Sequence, residues 1–225
     1  MGVFGFFKEK NKRQTINNNI ENEIKRLYAD KKYDEVVSRA ESFFVDGQET
    51  PLGIKQMIGL SFFYKKDYEK ALTILEEIAL EKNDVESWFN VLMSLMLANK
   101  PQEGKKVFNR ILKLHNELKS NQPRELGINF IKYYYACGLN DAGLFDDALE
   151  QLEDIKKTYI EMKITDDTFV YIRGVPFLSD TLNLAKKIFN GLNIDFNNSG
   201  FINELETAID DEGKKLIKKY REQGN

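Results

Sequence analysis

The chain has 225 residues, of which 42% are hydrophobic and 31% charged, with a formal net charge of −3. That composition suits a globular protein with a substantial core and excludes disorder, and the interspersed Lys and Glu lack the basic footprint that nucleic-acid binding demands. One cysteine, Cys137, and one histidine, His115, exclude an intrachain disulfide or CxxC site and leave too little to assemble a His-rich zinc site or a Ser-His-Asp or Cys-His nucleophile.

The first sixteen residues form an apolar and basic segment. "MGVFGFF" is followed by Lys8, Lys10, Lys12 and Arg13, the reverse of the order a secretory signal needs. Gly2 invites myristoylation, but Phe6 stands where that motif wants Ser or Thr. Two readings remain open. Phe4, Phe6 and Phe7 could dip into a membrane while the basic run meets anionic head groups, or the segment could tuck against an apolar groove of the chain itself. No stretch approaches the roughly 18–20 apolar residues needed to span a bilayer, so a cytoplasmic protein is expected.

Beyond the link at 11–19 the chain repeats itself. In "FYKKDYEKALTILEEI", Tyr68, Ala71, Leu75 and Ile78 fall at helical spacing. Tyr33, Val36, Ala40 and Phe43 match them upstream; Gly104, Phe108 and Ile111, then Phe145, Ala148, Leu152 and Ile155, match downstream. The small-residue positions lie 35, 33 and 44 residues apart, so one unit carries an insertion. A second helix precedes each copy, marked by Ile20, Glu23, Ile24 and Leu27; Ile58, Gly59 and Phe62; Trp88, Val91, Leu92 and Leu95; and Lys132, Tyr135, Ala136 and Leu139. Boundary signals agree: Thr50 before Pro51, a capping box at Asn83 and Glu86, a restart at Lys100-Pro101, and a left-handed exit at Gly143.

These four copies resemble the tetratricopeptide repeat (TPR), best at Gly59, Phe62, Tyr68 and Ala71 and well at Trp88, Phe145 and Ala148. The family's final-Ala position is filled instead by Phe43, Ile78, Ile111 and Ile155. The resemblance implies an all-α fold, an α-solenoid of about four helix–turn–helix units over 17–160, stacked into a concave groove. Residues 161–225 then supply a degenerate fifth unit and C-terminal capping helices. Within them, "TDDTFVYIRGVPF" (165–177) reads as a distorted first helix rather than a strand. "LSDTLNLAKKIFNGL" (178–192) reads as a helix with Leu182, Ala185, Ile188 and Phe189 on one face. Ser199 caps a last helix, 201–222, with Ile202, Leu205, Ile209, Leu216 and Ile217 inward.

In the TPR family the inner wall comes largely from first helices. The resemblance therefore implies a partner-binding groove of Gln56, Leu60, Phe63 and Tyr64, then Phe89, Asn90, Met93, Met96 and Leu97, then Phe130, Tyr133, Tyr134 and Asn140. The family's grip on a C-terminal carboxylate needs Lys, Arg and Asn on these positions, and the second and third units hold almost no cations there. An aromatic, Met-rich wall suits an amphipathic helix or hydrophobic peptide. The expected function is a non-catalytic scaffold with a protein or peptide partner and no cofactor or metal. Two alternatives are an inhibitor or immunity-type protein, from the acidic runs Glu76-Glu77, Asp146-Asp147 and Asp210-Asp211-Glu212, and a membrane-peripheral adaptor acting through the first thirteen residues.

Overall fold

The structure, a computed structural model, describes residues 19–44, 50–117 and 126–222, with side chains in the first stretch described to residue 40. The segment 1–16 and the side chain of Phe43 lie outside these. Every regular element among the described residues is a helix. In chain order they are α1 (19–29), α2 (Tyr33–Phe44), α3 (Leu52–Tyr64), α4 (Tyr68–Lys82), α5 (Val85–Leu97) and α6 (Pro101–Glu117). There follow α7 (Ile128–Asp141), α8 (Phe145–Met162), α9 (Asp167–Ile172), α10 (Leu178–Gly191), a 3-10 turn at Phe196–Asn198, α11 (Gly200–Ala208) and α12 (Asp211–Glu222). The chain forms two compact units that divide between Ser94 and Leu95, inside α5.

One backbone device joins the helices of every hairpin. Lys31, Lys66, Asn99, Gly143 and Gly174 all take positive φ, between 57° and 75°. Each donates its N–H to the carbonyl three residues back, and the next N–H reaches five back, as in Gly143 to Asn140 followed by Leu144 to Leu139. This is the closure that satisfies a helix's last carbonyls. The turns stand 35, 33, 44 and 31 residues apart, so Gly174 establishes the expected fifth hairpin, α9–α10. Lysine is a poor choice for a left-handed position, where Cβ crowds the following carbonyl at about 1–2 kcal/mol. Lys66→Gly should therefore raise stability by roughly 1 kcal/mol, measured as a shift in denaturant midpoint at unchanged slope.

In the first unit the amphipathic spacing produces a core of Ile24, Leu27, Val36, Ala40, Ile54 and Ile58. Helix α2 packs on α3 and α3 on α4. Ala71 is fully buried, and Gly59 lets α4 approach so closely that a Cβ there would lie 3.0 Å from Leu75 Cδ2. These are the close-crossing positions read from the repeat, and Leu75 and Ile78 fill the space around them.

In the second unit Gly104, Phe108 and Ile111 of α6 and Ala148, Leu152 and Ile155 of α8 are buried in the same roles. Helix α10 packs on both α7 and α8 through Leu182, Ala185, Ile188 and Phe189, the face expected. Helix α11 covers α8, and α12 covers α10 and α11, burying Phe201, Ile202, Leu205 and Ile217.

Lys156 is buried between Glu153 (2.5 Å) and Glu204 (2.6 Å), with its ammonium 5.3 Å from the Phe201 ring centroid. Burial alone would lower its pKa, but the two carboxylates outweigh it and hold it above the usual lysine range. The glutamates keep 35% and 60% of their side-chain surface, so losing the lysine strands no buried charge. Lys156→Met, which keeps the stem, should therefore stay within about 1 kcal/mol of the parent. Lys156→Ala, which leaves a hole beside Phe201, should cost about 2 kcal/mol by chemical denaturation.

Several helix boundaries differ from the sequence reading. Thr50 is buried, and Pro51 rather than Thr50 occupies the N-cap of α3, with no side-chain cap bond. Asn83 is the left-handed C-cap of α4, and Asp84 caps α5, its Oδ1 accepting from Ser87 N at 2.7 Å. An aspartate one residue later competes better because its carboxylate meets the helix's positive end. The single terminal helix expected at 201–222 is two. Ser199 caps α11 as read, but the chain breaks at Ile209–Asp210. Asp210 accepts from Thr165 N (2.9 Å), Thr165 Oγ1 (2.6 Å) and Gly213 N (3.0 Å), tying α12 to the α8–α9 linker. Three donors on one carboxylate favour the break over an unbroken helix.

Candidate binding site

A concavity of about 700 Å³ in the second unit lies where the start of α7 meets α9. Phe130, Tyr134, Tyr171 and Ile172 supply its apolar walls, Asn129 and Arg173 its polar edge, and His115 reaches it from α6. Helix α7 presents Phe130 and Tyr134 on one face by four-residue spacing. Asp166 caps α9 by accepting from Phe169 N at 2.8 Å, which sets Tyr171, Ile172 and Arg173 at that helix's end. The rings of Phe130 and Tyr171 meet edge to face at 6.2 Å, and Arg173 lies 5.0 Å from the Phe169 ring. The backbones touch at Gly127 and Gly174, where a Cβ on Gly127 would fall 2.6 Å from Gly174 Cα. Tyr134, Tyr171 and Ile172 remain 41%, 64% and 75% exposed, an unusual concentration of uncovered apolar surface.

The groove residues expected from sequence are distributed as follows. In the first unit Gln56, Leu60, Phe63, Phe89, Asn90 and Met93 are half-buried and Tyr64 is exposed. Tyr64 stacks on Tyr33 at 4.6 Å, Tyr28 meets Tyr33 at 5.9 Å, and Phe63 meets both Tyr64 and Tyr68 at 5.7 Å. Burial together with Tyr64 and Tyr33 pushes the Tyr28 hydroxyl up to about 12. Gln56 accepts from Lys82 at 2.9 Å. In the second unit Leu97 and Tyr134 are exposed, and Asn140 donates to Asp141 at 3.2 Å. Met96 is buried, in contrast to the groove position expected of it: its side chain packs onto Gly138, where a Cβ would lie 2.6 Å from Met96 Cβ. His115 is also buried. Tyr171, Ile172 and Arg173 were not among the expected residues. The signal was present, since the fifth unit's first helix occupies the same place in the repeat as α3 and α7.

Two first-helix cations are engaged by second-helix acids: Lys55 with Glu77 at 3.3 Å and Lys132 with Asp154 at 2.8 Å. In each acidic run at least one residue has a partner: Glu77 pairs with Lys55, Asp147 lies 3.8 Å from Lys105, and Asp210 accepts from Thr165. Among the described residues no group of three or more His, Cys, Asp or Glu could hold a metal ion, and no helix is long and apolar enough to cross a membrane.

Tyr133 lines no part of the concavity and shares a hydrogen bond with Cys137; burial raises its pKa above the ordinary tyrosine value. Burial pushes the Cys137 thiol up to about 11, against the lowering effect of Tyr133. At pH 8 Cys137 should alkylate on the order of 100-fold more slowly than a free cysteine, and Tyr133→Phe should slow it further. These groups are protonated in the fold and release protons more easily once unfolded. Their contribution is thus complete below about pH 8.5 for Cys137, or 10 for the tyrosines, and is lost as pH rises through the folded values.

Repeated hairpins with a common left-handed turn, and small residues at the Ala71, Gly104 and Ala148 positions, define a TPR-like α-repeat protein. Solved structures agree. The chain is similar to the TPR-like repeats of a candidate kinesin light chain from Podosopora anserina, at 14% identity over 89% of this chain and 94% of that one, with a TM-score of 0.58. A second structure of that protein, carrying a single substitution, matches at 13% identity, 92% and 96% coverage, and the same TM-score. No protein-family model matches the chain, and no curated protein matches it significantly.

Proposed function

We propose that the protein is a non-catalytic interaction module that binds a hydrophobic peptide or amphipathic helix along its first-helix faces. In this reading residues 17–160 form the repeat array and 161–225 complete and cap it, with the α7–α9 concavity as the principal subsite. The supporting observation is the cluster of Tyr134, Tyr171 and Ile172, left uncovered around a space of about 700 Å³. Such surface is costly to expose unless something covers it. Ring edges and an adjacent guanidinium offer an apolar side chain both contact area and orientation.

A peptide-display selection against the full chain tests this. Enriched apolar peptides should lose about tenfold or more in affinity with Ile172→Glu or Tyr134→Ala, and nothing with Leu80→Ser, an exposed residue on the second helix α4. Peptides indifferent to Ile172 and Tyr134, or no enrichment at all, would defeat the reading.

A further inference from the structure

A separate cleft of about 500 Å³ in the second unit is bordered by α6, α7 and α8. Its α6 edge runs from Lys105 to Asn116, about 16 Å of helix, and Phe108, Leu112 and Ile128 contribute apolar lining. Tyr135 is only 3% exposed yet lines this space, its ring stacked on Phe108 at 4.2 Å. The Tyr135 hydroxyl has no hydrogen-bond partner among the described residues. A buried phenol normally finds one, so an unpartnered hydroxyl facing a cleft marks a place for a ligand. Burial, with Asp147 and Glu150 close by, raises its pKa to about 12, so at neutral pH it can both donate and accept.

Charge defines what that ligand must be. Three carboxylates of α8, Asp147, Glu150 and Asp154, share the lining with two lysines. Lys132 is held by Asp154 at 2.8 Å, and Lys105 lies 3.8 Å from Asp147. Glu150 makes no ion pair among the described residues. One negative charge is therefore left over, a helical turn from Asp147 and near the unpartnered hydroxyl.

We infer that this cleft binds a single organic cation, the guanidinium or ammonium of a basic side chain on a partner protein. Glu150 and Asp147 accept from the charged head, the Tyr135 hydroxyl completes its hydrogen bonds, and the apolar stem lies along Phe108 and Leu112. Lys105, whose side chain is 56% exposed, turns toward solvent as the cation enters. Tyr135 on α7 and both acids on α8 belong to one hairpin, closed at Gly143, so the acceptors are held in place before the ligand arrives. The inference goes beyond the proposed function and stands whether or not the α7–α9 concavity binds an apolar peptide.

Nuclear magnetic resonance titration of the full chain with N-acetyl-arginine amide and N-acetyl-lysine amide, each carrying one positive charge, tests this. The Tyr135 ring signals and the amides of 145–154 should shift saturably with at least one of them, and neutral N-acetyl-glutamine amide should leave them in place. Glu150→Gln should weaken the apparent affinity about tenfold or more and Tyr135→Phe about threefold. Lys105→Gln should strengthen it, and Glu76→Gln on α4 should change nothing. Tyr135→Phe removes only an unpartnered hydroxyl, so its unfolding midpoint should match the parent's, which separates a binding role from a structural one. No saturable shift with either cation, an equal response to the neutral amide, or unchanged affinity in Glu150→Gln would overturn the inference. Spermidine binding at the same signals about tenfold or more tighter would also overturn it, giving the cleft to a free polyamine.

Discussion

Gly127→Val should destabilise the second unit by about 3 kcal/mol and weaken peptide binding at the α7–α9 concavity in the same variant. A Cβ on Gly127 would meet the Cα and carbonyl oxygen of Gly174, both at 2.6 Å. Backbone cannot rotate aside as a side-chain tip can. Gly174 is itself held at φ 69° by the fifth hairpin turn, where other residues are strained. The start of α7 and the end of α9 must therefore part, moving Phe130 and Tyr134 relative to Tyr171 and Ile172. Denaturant unfolding gives the stability loss, and titration of a selected peptide gives the affinity. Gly53→Ala is the control: nothing lies within 4 Å of that position, so it should be neutral or stabilise by up to about 1 kcal/mol. A Gly127→Val variant within about 1 kcal/mol of the parent would show that the two segments separate freely.

Tyr159→Ala should be among the most damaging single substitutions, at about 4 kcal/mol. Tyr159 is fully buried on α8, and its hydroxyl donates to the carbonyl of Pro176 in the α9–α10 linker. Removing the ring opens a cavity against α10, whereas Tyr159→Phe keeps the packing and leaves the Pro176 carbonyl without that donor. The second change should cost about 1–2 kcal/mol, and the difference between the variants measures the ring apart from the hydroxyl. Burial raises the Tyr159 pKa well above the ordinary value, so the hydroxyl still donates in mildly alkaline buffer. The Tyr159→Phe deficit should accordingly be constant from about pH 6 to 9; a deficit that vanishes at the alkaline end would contradict this.

Much of the repeat was legible because packing imposes it on residue type. Ala71, Ala148 and Gly104 sit where two helices cross, and only a small side chain fits there, so spacing and size together disclosed the units. The common turn was harder to read. Its left-handed residue is Lys twice, Asn once and Gly twice, because the backbone bonds that close the hairpin tolerate different side chains at modest cost. Caps were legible where one residue could serve, as at Ser199, and misread where neighbours competed, as at Asn83 and Asp84. Met96 shows the limit for the groove: the family resemblance placed it on the inner wall, but a glycine 42 positions later gives its side chain a place to bury.

By itself, then, the amino-acid order determined the all-α class, the phase of each described helix pair and the small residues at the crossings. These follow from short-range spacing and from which side chains can leave water. Tertiary structure alone decided that Asp210 divides the terminal helix to reach Thr165, and that Tyr171 and Ile172 join Phe130 and Tyr134 around one concavity. Each of these depends on residues well separated along the chain meeting in space, and no local periodicity records such a meeting.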